Sequence, residues 1–456
     1  MMNFGRSVNR IVIPEMSESL VLTAVAKAEK EFIKNKEAER KSAVDFYYND
    51  NIGKHLEQWF SGDSLSQVPT YPQKVVPRFA RARMMLYKSP PVRYINGEED
   101  TEYKEYAYQL DSMARLFSEL SWLLGDCHVV TRYNERKTRL EYEVLPFVKE
   151  YFINGDSEPF GYSWEIDKGD SSKRMFIFWS ETRDGVQGMH FKFNQDGKRF
   201  TVNGNPEMVN PYDVAPVSRV YYPSHSFDVV VSAVQIGIAM TELALNVRFK
   251  LGQPVFTGID EGQSTIKSGI DNAIILPEGA TFQYVTPGAG MVEMIEAIKL
   301  FANQTAENNH LRIRWGESGG NSPSGEALRI LEIENMESRE SDIPLFREWE
   351  HNRYEIDRKL LEVHGVITLN ENYSVDFGEV TFPMSPQEER AWLDWKLAKG
   401  IITKRDLLLY FNPDMTDEEL EKKLTEVQEE KVAERETEQP EQPVFQGLNR
   451  LGAVGT

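Results

Sequence analysis

The first 124 residues carry apolar positions spaced for helices. Residues 16–60 place Ala24, Ala28, Phe32 and Ile33 among Lys and Glu at helical spacing. Residues 75–86 form a second amphipathic pattern, which Ser89-Pro90-Pro91 ends. A third helix is predicted over residues 101–124, and its apolar stripe consists of Tyr106, Leu110, Met113, Leu116, Phe117 and Leu120.

Residues 128–222 change to a strand pattern. Met175–Trp179 is apolar, and His190–Phe193 alternates. The pairs Asp184-Gly185, Asp196-Gly197 and Asn203-Gly204 are typical of hairpin turns. The pattern predicts an antiparallel meander without βαβ units, followed by a proline-rich loop at residues 206–223.

Val229–Val247 is the most apolar stretch of the chain. On a helix, Ser232, Gln235, Glu242 and Asn246 step by three and four residues through Ala239, so they form one narrow polar stripe. We interpret the stretch as a helix that is buried on most sides and wet on one. A membrane span is the alternative, although a glutamate within a span is costly.

A small β-insertion is predicted after this helix. Residues 252–287 are Gly-rich, and Ala273–Leu276 and Thr281–Val285 are the best strand candidates. A second long helix is predicted over residues 291–311. Two long helices therefore flank a short insertion.

The polar loop Gly316–Gly325 leads into another long helix. Ser322 suits its N-cap and Pro323 its first position. The helix is predicted to run to about His364, to be kinked or broken at Pro344, and to be capped by Gly365. Strands are predicted at Val366–Leu369 and Tyr373–Phe377.

The C-terminal part is predicted to be helical after Pro383. Ser385 with Glu388, and Thr416 with Glu419, have capping-box spacing. The Glu-rich residues 425–443 are expected to form a disordered tail.

Composition and charge exclude some classes of function. The 456 residues carry a net charge of −20 with a pI near 5.0, so a global basic footprint for nucleic acid is absent. Cys127 is the only cysteine, which excludes an intrachain disulfide. Residues 1–10 have no signal-peptide pattern, so we expect a cytoplasmic folding environment.

The catalytic motifs that we searched for are incomplete in the sequence. Gly320 and Gly325 have phosphate-loop spacing, but Glu326 and Ala327 stand where Lys and Ser/Thr are needed. The seven histidines show no metal-ligand spacing. Cys127 and His128 are adjacent, and the side chains of adjacent residues rarely face each other. We expect no enzyme, no cofactor and no metal. A hydrolase or nucleotide-processing enzyme with an unrecognised site is the alternative.

Small basic islands interrupt the acidic chain. We expect each island to pair with carboxylates of this chain or of a neighbour, with nucleic-acid contact as the alternative. The islands are Arg78, Arg81 and Arg83; Arg248 and Lys250; and Arg312 and Arg314.

The order of these elements, over about residues 35–430, resembles the portal proteins of tailed bacteriophages. Five segments carry the resemblance: Lys74–Pro91, Asn210–Pro216, Ser324–Leu328, Leu397–Thr403 and Asn412–Glu419. Ser324-Gly325-Glu326-Ala327-Leu328 is similar to the S-G-x-A-L start of the family's long kinked helix. Thr403 departs from the serine that many relatives have.

The resemblance implies an α+β ring subunit with a mixed wing domain and a two-helix stem. The wing would be residues 1–222 and 326–383, and the stem helices 223–252 and 290–314. A clip (253–289), a tunnel loop (315–325), a helical crown (384–430) and a disordered tail (431–456) complete the map. The implied tunnel-loop residues are Glu317, Ser318, Gly319, Gly320, Asn321, Ser322, Pro323 and Ser324.

The resemblance also implies a role and partners. Relatives form a dodecameric ring at one capsid vertex of the virion, assembled in the host cytoplasm, through which double-stranded DNA is packaged and ejected. The implied partners are terminase, the major capsid protein, scaffold, and head-completion, adaptor and tail proteins, with no membrane. A mostly acidic channel wall would let DNA slide, because few basic contacts hold its phosphates. A membrane channel built on Val229–Val247 is the rival interpretation.

Overall fold

The chain divides into two compact units in a computed structural model. The first unit is Met1–Gly320 with Ile330–Val380, and the second is Asn321–Arg329 with Thr381–Thr456. The fold mixes helices with small sheets, so the predicted α+β class is confirmed. The structure describes residues 10–13, 23, 34–60, 69–153, 155, 158–159, 161–165, 173–178, 189–194, 207–209, 212, 214–223, 225–248, 253–257, 279, 281–285, 290–312, 332–380, 386–412, 415–416 and 419–426.

Helices dominate the beginning of the first unit. They are α1 (Lys34–Tyr48), α2 (Ile52–Glu57), α3 (Val75–Arg83), α4 (Glu102–Tyr106) and α5 (Leu110–Leu124). The single helix predicted over residues 101–124 is wrong, because a turn at residues 107–109 divides it into α4 and α5. The turn lets Tyr103 and Leu110 both enter the core, where each is at most 3% exposed.

Three sheets follow in the first unit. A small antiparallel sheet has the order β11-β4-β5, formed by β4 (Asp126–Asn134), β5 (Arg139–Leu145) and β11 (Val217–Tyr221). The largest has the order β1-β6-β7-β8-β9-β10, formed by β1 (Arg10–Ile13), β6 (Lys149–Ile153), β7 (Gly161–Glu165), β8 (Lys173–Phe178), β9 (Met189–Asn194) and β10 (Glu207–Val209). The third has the order β14-β2-β3, formed by β2 (Val92–Ile95), β3 (Glu98–Glu99) and β14 (Tyr373–Asp376).

The predicted meander is confirmed for β6 to β10, whose neighbours pair antiparallel. The sequence did not predict β1, which pairs parallel to β6 with Arg10 opposite Glu150. This pairing joins two segments far apart in the chain, and local spacing carries no information about it.

Two long helices flank a β-hairpin, as predicted. They are α6 (Phe227–Arg248) and α7 (Met291–Asn308). Between them, β12 (Gln253–Thr257) pairs antiparallel with β13 (Thr281–Val285), with Gln253 opposite Val285. The strand predicted at Thr281–Val285 is confirmed, and the candidate Ala273–Leu276 lies outside the described residues.

The long helix α8 (Ile333–Val363) continues through Pro344, so of the predicted kink or break at that residue only a kink remains a prediction. Proline removes the bond to the carbonyl four residues earlier, that of Glu340. Pro344 and Glu340 are both exposed, so water can hydrate the region that loses the bond. The predicted start at Ser322 lies outside the described residues.

Gly365 ends α8 as predicted. Its φ is +63°, its N–H donates to the carbonyl of Glu362, and the N–H of Val366 donates to that of Leu361. The strand predicted at Val366–Leu369 is wrong, because this segment is irregular. Val366 takes part in the C-cap of α8, and the side chain of Leu369 is buried in the core. The strand predicted at Tyr373–Phe377 is confirmed as β14.

The core of the first unit surrounds α8. Trp349 stacks on Phe117 of α5 with ring centroids 4.5 Å apart, and Tyr87 meets Trp349 and Phe346 edge-on. The indole N–H of Trp349 donates to Ser218 Oγ of β11 at 3.1 Å. Helix and sheet layers therefore share one core.

The second unit contains α9 (Pro386–Ala398) and α10 (Lys404–Phe411). Thr403 and Asp406 form a capping box at α10 that the sequence analysis missed. One of the two bonds of the box predicted at Thr416 is present, since Glu419 Oε2 accepts the Thr416 backbone N–H at 3.1 Å. Ser385 of the other predicted box lies outside the described residues.

Candidate functional site

The candidate site is the pair of long helices α6 and α7, called the stem pair below. Three side-chain contacts join them. Asn309 donates to Asp228 at 3.0 Å, Ser232 and Thr305 are 2.6 Å apart, and Asn246 lies 3.3 Å from the sulfur of Met294. Positions that rise along α6 meet positions that fall along α7, so the helices are antiparallel.

The predicted polar stripe of α6 is divided between two environments. Ser232 and Asn246 face α7, whereas Gln235 and Glu242 are exposed. The predicted wet face is therefore confirmed for Gln235 and Glu242, whereas Ser232 and Asn246 are half-buried against α7. Thr305 supplies a hydrogen-bond partner for the half-buried hydroxyl of Ser232.

The apolar bulk at the beginning of α6 packs within the chain. Four of its side chains are at most 1% exposed: Val229, Val230, Ala233 and Ile236. Gly237 lies so close to α2 that an added Cβ would be 2.8 Å from Leu56 Cδ1. Helices α1, α2 and α3 of the same chain cover these residues, so they are not available to pack between subunits.

Other apolar side chains of the stem pair remain uncovered by the chain. On α6 they are Val231 and Val247, and on α7 they are Val292 (65% exposed), Ile295 (42%), Leu300 (54%) and Phe301 (40%). At about 100° per residue, Ile295 and Phe301 are separated by about 120° around α7. They lie on opposite sides of the face that packs on α6, which includes Ala302 and Thr305.

Acidic side chains accompany this apolar surface. Glu293, Glu296 and Glu307 of α7 are exposed, as is Glu242 of α6, and Lys299 is the exposed cation among the described residues of α7. The outer surface of the stem pair is therefore apolar and acidic.

The basic islands have different surroundings. Arg83 is buried and pairs with Asp342 at 2.8 Å, as the carboxylate interpretation predicted, and it also donates to Tyr222. Arg81 lies 3.8 Å from Glu119, and Arg312 is exposed. The side chain of Arg248, together with Lys250 and Arg314, lies outside the described part of the chain.

The predicted tunnel loop lies within residues 313–331, outside the described residues. This applies to Glu317, Ser318, Gly319, Gly320, Asn321, Ser322, Pro323 and Ser324. These residues therefore stay a prediction.

Among the described residues, we looked for a reactive cysteine and for a metal site. Burial raises the pKa of the Cys127 thiol to about 12, so the reactive thiolate is scarce. His128 faces the buried carboxylate of Glu150 at 2.8 Å. Within the described ranges, no cluster of three His, Cys, Asp or Glu residues could hold a metal ion.

A buried ionic cluster on α8 was missed by the sequence analysis. Glu350 and Arg353 are fully buried and pair at 2.7 Å, and Arg353 also pairs with Asp357. Arg93 of β2 reaches Glu350 at 2.9 Å. The signal was present, since these charges recur three and four residues apart beside Trp349, but charges at such spacing usually mark a solvated face.

The membrane alternative has one feature in its favour. Phe227–Val247 is long and apolar enough to cross a membrane, with a mean hydropathy of 1.6 in its best window, and 33% of that window is buried inside the chain. Length and composition alone carry this feature, and a core helix satisfies them equally. The contacts of Gly237 with α2 and of Ser232 with α7 are those of a packed helix.

The geometry can therefore support assembly through the stem pair. No model of a known protein family matches the chain, and a search of curated proteins finds no match.

Proposed function

We propose that this chain is the subunit of a portal-type ring, the channel for double-stranded DNA at one capsid vertex. One observation carries the proposal. An antiparallel helix pair frames a β-hairpin and leaves apolar side chains uncovered on two flanks of α7. Together with the order of elements in the sequence, this supports the portal interpretation.

Two uncovered flanks are what a ring requires. A cyclic ring uses a heterologous interface, in which one surface of a subunit meets a different surface of its neighbour. Ile295 and Phe301 lie on opposite flanks, so each would be covered by a different neighbour. Uncovered apolar surface of this kind marks an interaction site.

The acidic surface of the stem pair suits a channel that DNA passes. Glu242, Glu293, Glu296 and Glu307 are exposed, and the chain carries a net charge of −20. Few cations are available to displace counterions from phosphates, so the wall would bind DNA weakly. Repulsion would act over about 8–10 Å at moderate salt.

The finer map belongs to the same proposal. Residues 1–222 and 326–383 would supply the wing, residues 223–252 and 290–314 the stem, residues 253–289 the clip, residues 315–325 the tunnel loop, and residues 384–430 the crown. Terminase, capsid, scaffold, adaptor and tail proteins would dock on the ring. The chain itself would not hydrolyse ATP, because Glu326 and Ala327 occupy the phosphate-loop positions of Lys and Ser/Thr.

Native mass spectrometry of the purified chain and two variants tests the proposal. The wild type should give a single closed assembly at micromolar concentration and moderate salt. Ile295→Asp and Phe301→Asp should each shift the population toward monomer, because each places a charge in one apolar flank. Asn303→Asp is the matched control, since it adds the same charge at an exposed position of α7 without removing apolar surface.

Two results would contradict the proposal. One is a wild type that stays monomeric or dimeric under these conditions. The other is ATP turnover by the purified chain that a substitution within residues 319–325 abolishes, which would favour the enzyme alternative.

A further inference from the structure

A polar cavity of about 340 Å³ opens on the surface of the first unit, and no residue of the stem pair is among its lining residues. Helices α1, α3 and α5 line it. Its lining residues are Tyr47, Arg81, Ser112, Arg115, Leu116 and Glu119.

One buried carboxylate organises this cavity. The side chain of Glu119 is 3% exposed, and it accepts a hydrogen bond from the Tyr47 hydroxyl. Arg115 donates its Nε–H to Glu119 at 3.2 Å, one helical turn away on α5. Arg81 of α3 approaches the other oxygen of Glu119 with its Nε at 3.8 Å. Both guanidinium groups therefore turn the same edge toward Glu119.

The outer ends of the two guanidinium groups are available. Arg81 is 61% exposed and Arg115 49% exposed in their side chains. Within the described chain, no hydrogen bond occupies the Nη atoms of either residue. An arginine fork of two Nη–H groups matches the spacing of oxygens in an oxyanion.

The charge balance leaves the cavity cationic. Glu119 neutralises one of the two guanidinium charges, so a net charge of about +1 remains at this point of an acidic chain. An ordinary surface ion pair would leave none. The buried carboxylate holds both arginines by their Nε edges. Their Nη–H groups are thereby oriented to bind a ligand in the cavity.

We propose that Arg81 and Arg115 bind a phosphate oxyanion in this cavity, with Glu119 as the positioning residue. The Nη–H groups of both arginines donate to the phosphate oxygens. This inference does not depend on the ring, because all three residues belong to one chain.

Isothermal titration of the full chain with inorganic phosphate at low salt tests the site. The wild type should bind one phosphate per chain. Arg81→Gln and Arg115→Gln should each weaken that binding at least about tenfold, the effect of losing one charge-assisted hydrogen bond. Arg78→Gln, on the same helix but outside the cavity lining, should leave it unchanged.

The fork geometry of Arg115 has its own readout. Arg115→Lys keeps the charge but lacks the fork, so it should weaken phosphate binding almost as much as Arg115→Gln. Full affinity in Arg115→Lys would overturn the oriented-fork geometry. Absence of saturable phosphate binding up to about 10 mM, or an equal loss in Arg78→Gln, would overturn the site itself.

A competition arm identifies the source of the phosphate. A short DNA duplex that displaces inorganic phosphate from the wild type, and loses this ability in Arg115→Gln, assigns the site to a phosphodiester. Phosphate binding that the duplex leaves unchanged assigns it to free phosphate or a small phosphate ester. Neither outcome bears on whether the chain forms a ring.

Discussion

Replacing Glu350 by Gln should destabilise the first unit by about 3 kcal/mol at neutral pH. The Glu350 carboxylate is fully buried on α8 and accepts hydrogen bonds from four side chains. Arg93 donates at 3.2 and 2.9 Å, Arg353 at 2.7 Å, Tyr373 at 2.9 Å and Tyr87 at 3.1 Å. A neutral amide cannot balance the two buried guanidinium charges.

The magnitude follows from the pKa of this carboxyl. Burial alone would raise it, but the charges and hydrogen bonds of Arg93 and Arg353 more than reverse that effect and hold the pKa at about 2. The gap from the ordinary value of 4.5 corresponds to about 3 kcal/mol at 1.36 kcal/mol per pKa unit. This value agrees with the cost of about 3–5 kcal/mol for removing one partner of a buried ion pair.

The sign of the pH dependence also follows. The pKa of Glu350 is lower in the folded chain than in the unfolded chain, so its stabilisation is fully present above about pH 4.5. It is lost as the pH falls toward about 2. The Glu350→Gln variant should lack this part of the acid dependence.

Urea unfolding followed by tryptophan fluorescence measures both effects. Glu348→Gln is the matched control, because Glu348 lies two residues away on the same helix, carries the same charge and is exposed. The control should change the free energy of unfolding by less than about 0.5 kcal/mol. A loss below about 1 kcal/mol in Glu350→Gln, or an equal loss in the control, would refute the reasoning.

Three further outcomes are expected. Gly237→Val should lower the free energy of unfolding by about 1–3 kcal/mol, since its Cβ would lie 2.8 Å from Leu56; an unchanged urea midpoint would contradict the packing of α6 on α2. The Cys127 thiol should react with a disulfide reagent only after unfolding, because it is buried and its pKa is about 12; rapid stoichiometric labelling in native buffer would contradict this. Gly320→Trp should leave ring assembly intact while impairing DNA passage in a packaging assay, whereas a loss of assembly would place residue 320 at a subunit contact.

Local spacing predicted the long elements well. The apolar run of Val229–Val247 and the 3.6-residue period beyond Pro344 located α6 and α8, because a helical face repeats within a few residues. Gly365 predicted the end of α8, since a positive φ of +63° favours glycine. The strand at Thr281–Val285 followed from the same local evidence.

Spacing failed where the partner of a residue is distant in the chain. The sequence analysis did not single out Glu350 and Arg353, because their burial depends on Arg93, which β2 brings to Glu350 from more than 250 residues earlier in the chain. Strand β1 depends on β6, which lies about 140 residues later in the chain. Ser232 was predicted to lie on a solvent-exposed face, because the sequence does not show that Thr305 faces it.

The candidate site was predicted in outline but not in detail. The polar stripe of α6 was recognised, yet helical spacing cannot tell which of its members face α7. The cavity around Glu119 was not recognised, because Arg81 belongs to α3 while Arg115 and Glu119 belong to α5. Only the fold brings these three side chains together.

Negative-stain electron microscopy of the purified full chain tests the central claim most directly. The two uncovered flanks of the stem pair predict closed rings of uniform size with a hole on the axis, which Ile295→Asp should disperse. Monomers, or filaments without a closed ring, would contradict the portal interpretation.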